Sequence, residues 1–198
     1  MTTRFLLPVL AALFWPVTAV AQPTARGPAP IHRAPTAATE FDFLIGQWEL
    51  TVQPKVSSLA ARIHGAPKLL GTWKAWRAFD GFGIEDELRI VDGSGNPNSL
   101  NHAVRIYDAA ARRWAISGLD VYRARFTTAT GEWKDGQMHL AGKGTDAEGT
   151  VYLTRTRFID ITPSRFRMVQ DRSTDDGRTW TEGVLRIDAK RVAPAAPR

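Results

Sequence analysis

Phe41-Asp42-Phe43-Leu44-Ile45-Gly46-Gln47-Trp48-Glu49-Leu50-Thr51-Val52 is the stretch whose reading decides the fold. It opens as a compact apolar turn and switches at Gly46 to strict alternation. Trp48, Leu50 and Val52 fall on one face of a strand, and Gln47, Glu49 and Thr51 on the other. A glycine two residues before an indole lets the backbone bend close to the ring.

Downstream, Pro54 breaks the pairing, and Val56, Leu59, Ala60 and Ile63 recur at helical spacing until Gly65 and Pro67. That predicts one short amphipathic helix after the first strand. From Leu70 on, apolar–polar alternation is cut at regular intervals by turn signals. Asp80-Gly81-Phe82-Gly83 and the run Asp92 to Asn98 are two of these, and Gly131 to Gly136, which contains Trp133, reads as a third. Trp73, Ala75 and Arg77 share a face opposite Trp76. Ile84, Asp86, Leu88 and Ile90 alternate against Glu85, Glu87 and Arg89. About ten strands with no βαβ alternation predict an all-β domain, a single antiparallel up-and-down barrel of about 8–10 strands, since closure removes the unpaired edges.

The string Phe41-Asp42-Phe43-Leu44-x-Gly46-x-Trp48 resembles the opening of lipocalins and other calycin barrels, and in its longer form a group of bacterial lipocalin-like secreted proteins. The resemblance implies that Trp48 closes the base of the barrel, with Gly46 beside it, and that a basic side chain from the last strand stacks across the ring. Arg186, Lys190 and Arg191 lie in the right region, and spacing does not choose among them. It also implies that the connection after the first strand covers the open mouth as a lid; a helix that only plugs an apolar gap fits the spacing equally.

Ahead of the domain, Arg4, the apolar run Phe5 to Val17 and Ala19-Val20-Ala21 read as a signal peptide over residues 1–21, too short an apolar run to span a membrane. Residues 22–39, with Pro23, Pro28, Pro30 and Pro35 among Ala and Thr, read as a disordered tether. The barrel is expected over 40–191 and a disordered tail over 192–198. With no cysteine, an exported fold must hold by burial and hydrogen bonding. The expected location is periplasmic or extracellular, with no transmembrane segment in the mature chain. Net charge is +6, but no basic run interleaved with aromatics marks a nucleic-acid groove.

Ser173-x-Asp175-x-Gly177-x-Thr179-Trp180 resembles the Asp-box of sialidase propellers. It occurs once, without an internal period, so it reads as a structural hairpin turn in which Asp175 bonds turn amides, Gly177 takes positive φ and Trp180 packs beneath. Gly142-x-Gly144-x-x-Ala147 precedes a strand, not a helix, so no nucleotide site follows. Asp92-x-Ser94-x-Asn96 lacks the glycine and terminal glutamate of a calcium loop. The four histidines have no metal-ligand spacing. No cofactor, metal or catalytic motif is expected.

The functional expectation is a secreted barrel that binds a small, mostly apolar or aromatic molecule, with Trp73, Glu87, Arg105, Tyr107, Trp114, Arg155 and Gln170 as candidates for the cavity wall. The alternatives are an isomerase- or cyclase-type enzyme using buried Glu87 with Arg105 or Arg155, and a structural envelope protein with a filled core. Oligomeric state is left open.

Overall fold

A computed structural model describes residues 33–56 and 67–192. Ten antiparallel strands form a closed barrel: β1 Gly46–Pro54, β2 Leu69–Ala78, β3 Gly83–Asp92, β4 Pro97–Asp108, β5 Arg113–Asp120, β6 Arg125–Lys134, β7 Gln137–Thr145, β8 Val151–Thr162, β9 Arg165–Ser173 and β10 Thr181–Arg191. Each strand pairs with its neighbours in sequence, and β10 closes on β1. The fold is the lipocalin-like up-and-down barrel. The predicted helix, apart from its first residue Val56, falls in 57–66, outside the described residues, as do the signal peptide, the tether up to His32 and the tail from Ala193.

Residues 36–39, expected within the tether, belong to the folded domain. Thr36–Thr39 forms a 3-10 turn with Ala38 buried, and Arg77 Nη1 donates to the Ala38 carbonyl at 2.8 Å. A small apolar residue with a paired carbonyl can be buried at little cost, which anchors a segment whose composition alone suggests disorder. At the other end, Val192 N donates to Gln47 O and extends the last pairing by one residue.

A second 3-10 turn, Asp42–Leu44, caps one end of the barrel. Phe41 and Leu44 are fully buried there. Phe41 crosses Trp114 edge-on at 4.8 Å, and beside it Trp48 on β1 meets Phe166 edge-on at 4.7 Å. Phe158 lies 5.8 Å from both Trp73 and Phe166. This end is therefore filled solid with aromatic rings.

Gly46 and Gly131 make the plug possible. Gly46 has φ +124, and a Cβ there would collide with the Arg191 guanidinium. Gly131 is inside β6 rather than in a turn, which corrects the expected turn over 131–136; the chain reverses at Asp135 and Gly136. A Cβ at Gly131 would lie 2.8 Å from Leu140 Cδ2 and 3.2 Å from Trp114 Cβ, so glycine is there for room.

The outer wall carries charge on many strands. Lys74, Arg89, Arg157, Arg167 and Lys190 are among its exposed residues. A membrane-spanning barrel needs an apolar outer band, and these charges interrupt one.

Candidate functional site

Above the aromatic plug the inward side chains shorten and become polar, and the barrel holds a cavity of about 290 Å³. Trp73, Ile116, Phe158 and Met168 give it apolar surface. Asn101, Thr127, Thr154, Thr156 and Gln170 give it polar groups. Gln170 Nε2 donates to Thr156 Oγ1 at 3.1 Å across the β8–β9 pair.

The most buried chemistry in the cavity is an ion pair with an indole attached. Asp86 on β3 and Arg105 on β4 are 2% and 5% exposed. Arg105 Nε donates to Asp86 Oδ2 at 2.6 Å, and its Nη2 to Oδ1 at 3.1 Å. Trp73 Nε1 on β2 also donates to Oδ1, at 2.7 Å. Three adjacent strands thus converge on one carboxylate, whose two oxygens are both occupied. A buried charge is tolerable only with such partners. The Arg105 guanidinium carbon also lies 5.0 Å from the Phe41 ring centroid, which ties the cavity to the plug.

The seven expected wall residues separate into three groups. Trp73, Arg105 and Gln170 line the cavity. Trp114 and Tyr107 face inward but lie lower, in the plug: Trp114 is fully buried with Nε1 donating to Glu40 Oε2 at 3.0 Å, and Tyr107 packs on it at 5.6 Å. Glu87 and Arg155 are corrections, because both stand on the outer wall. Glu87 alternates with inward Asp86 and Leu88 and lies 3.8 Å from the exposed Arg89. Arg155 alternates with inward Thr154 and Thr156 and stacks 3.8 Å over the Trp180 ring. The proposed Glu87–Arg105 and Glu87–Arg155 machinery is therefore not assembled. Asp86 takes the place expected for Glu87. Its signal was present in the sequence: a carboxylate sharing a strand face with Ile84, Leu88 and Ile90.

At the end of the barrel away from the plug, Arg172 on β9 occupies the inward position beyond Gln170 and opposite Thr154. Its guanidinium carbon lies 4.2 Å over the ring of Tyr152, a cavity-lining residue. Its Nε is buried without a hydrogen-bond partner among the described residues.

The residues read as structural hold a framework. Trp48 Nε1 donates to Leu44 O at 2.7 Å, and Arg191 is the last-strand cation that stacks on Trp48, at 4.1 Å. In the β9–β10 turn, Asp175 accepts from Thr179 Oγ1 at 2.6 Å and from Thr179 N at 2.9 Å. These bonds, the hydroxyl's first, with Ser173's added, hold its pKa down at about 2. Gly177 has φ +84, and Trp180 Nε1 donates to its carbonyl at 3.0 Å. In the other acidic turn, Asp92 accepts from Ser94 N and Asn96 N, both at 2.9 Å, and its pKa is lowered by the Asn96 bonds above all. Its oxygens serve the turn itself.

A larger depression, about 510 Å³, runs along the outer wall past His139, Arg155 and Arg157. It is a groove between solvent-facing side chains, whereas the interior cavity has convergent groups from opposite sides of the barrel. The cavity is the better candidate site.

No protein-family model matches the chain, and no curated protein matches it. Among solved structures it is similar to an S-type phycobiliprotein lyase from Guillardia theta, with 11% identity, a TM-score of 0.50, and coverage of 78% of this chain and 91% of that one. At that identity the likeness concerns the fold.

Proposed function

We propose that this chain is an exported binding protein that holds one small, mostly apolar or aromatic molecule inside its barrel. The observation that carries the reading is the interior cavity, floored by aromatic rings and edged with a few fixed polar groups. Its volume is near the lower end of small-molecule sites, about 300 Å³ upward. Asp86 argues for binding over catalysis: three donors occupy its oxygens, so it orients Arg105 and Trp73 instead of standing ready to take a substrate proton. The cavity also speaks against a purely structural, filled barrel. Export is supported by the basic, apolar and small-residue pattern of residues 1–21.

The test is to purify the protein under native conditions from the periplasm and identify retained small molecules by mass spectrometry. An apolar fluorescent probe should in parallel quench tryptophan emission through Trp73. No retained compound and no probe binding would remove the reading.

A further inference from the structure

We infer that the ligand is a small carboxylate with an apolar body, its charge held by Arg105 inside the cavity and drawn in past Arg172 at the rim. The inference rests on the cavity being a binding site, and it adds the sign and chemistry of the ligand.

Arg105 is nine-tenths buried, and its side chain borders the cavity. A guanidinium carries five N–H groups in a planar fork. Asp86 takes the Nε hydrogen and one Nη2 hydrogen, so the Nη1 pair and the second Nη2 hydrogen have no acceptor among the described residues. Asp86 fixes the fork, and the free edge presents parallel donors in the geometry that suits two carboxylate oxygens. Arg172 repeats the situation at the rim, with a buried Nε lacking a partner and no carboxylate within ion-pair distance among the described residues.

Charge balance points the same way. Among the described residues, Asp86 is the only carboxylate lining the cavity and is matched by Arg105, while Arg172 adjoins the cavity with no carboxylate against it. An unmatched cation in a low-dielectric interior is costly, and a ligand anion removes that cost. Size narrows the class: 290 Å³ is about ten waters at about 30 Å³ each, which suits a mono- or bicyclic acid. Trp73, Ile116 and Phe158 would receive its rings.

The test compares 2-naphthoate with 2-naphthalenemethanol, the same bicycle without the carboxylate, titrated calorimetrically into the mature protein at neutral pH. The acid should bind at least about tenfold tighter. Arg172→Gln should weaken the acid at least threefold and leave the alcohol unchanged. Arg113→Gln, an exposed arginine on β5, should alter neither and controls for net charge. Arg105→Gln alone leaves Asp86 buried without its cation and so tests folding instead of binding; the pair Asp86→Asn with Arg105→Gln removes both charges together, and should abolish the preference for the acid. Equal affinity for acid and alcohol, or an unchanged preference in the Arg172 variant, overturns the carboxylate assignment while the binding reading stands. Binding of neither probe, with nothing retained in the native protein, overturns both.

Discussion

The guanidinium of Arg191 lies 4.1 Å above the Trp48 ring and donates to the carbonyls of Ile45 at 2.7 Å, Phe43 at 3.3 Å and Pro163 at 2.6 Å. The final strand therefore reaches back across the base, covers the first strand's indole and ties the capping turn to the barrel. Gly46 is bare because this side chain passes over it.

Truncating the indole should be the most damaging single change at the base. Trp48→Ala should cost about 3–5 kcal/mol, from lost burial and the cavity left behind, read as a lowered denaturation midpoint with an unchanged slope. Stability equal to wild type would remove Trp48 from its central place.

Arg191→Ala should cost about 1.5–3 kcal/mol, the scale of hydrogen bonds to a charged group. Gly46→Ala should also destabilise, through the positive φ and the collision with Arg191. Combining the two should cost less than the sum, because removing Arg191 relieves the collision. Strict additivity in a double-mutant cycle would show that φ alone explains the glycine.

Asp86→Asn leaves Arg105 buried without its counter-charge and should cost about 3–5 kcal/mol, whereas replacing both with apolar residues of similar volume should be nearly neutral or stabilising. Denaturant titration of the single and double variants measures the difference. A double variant as unstable as the single one would mean that the pair does more than satisfy itself.

Asp175 supplies a pH signature. Its folded pKa, about 2, is below the usual 3.8, so the folded form binds the proton less readily than the unfolded one. The stabilisation is fully present above about pH 4 and disappears as the pH falls through 2. The stability difference between wild type and Asp175→Asn should therefore be constant from pH 7 to 5 and shrink below 4. A difference independent of pH down to 2 would contradict the hydrogen-bonded turn.

Strand alternation made much of the fold legible. Trp48, Leu50 and Val52 on β1 are inward opposite polar Gln47, Glu49 and Thr51, and Trp73 and Ala75 on β2 are inward opposite Thr72 and Lys74. The site was harder to read, for two physical reasons. Parity gives a side chain's face but not its height, so it assigns Trp114 and Tyr107 to the inward side without showing that they lie in the plug. Parity is also silent where both faces are polar: Thr154, Arg155 and Thr156 offer no apolar residue to mark the interior. Glu85, Asp86 and Glu87 form a third case. Only Asp86 shares the apolar face, but its tolerance there depends on Trp73 and Arg105, which come from strands on either side.

The seam between β1 and β10 has a kinetic consequence. The hydrogen bond from Arg191 to Ile45 spans 146 residues, while every other strand pairing joins neighbours in sequence. The meander can zip up locally and quickly, but ring closure must wait for the last strand and carries the loop entropy of nearly the whole domain. Until then β1 and β9 are open edges, the templates on which sheets from other chains can add. A chain cut short before Arg186 should therefore assemble into aggregates instead of remaining a soluble open sheet.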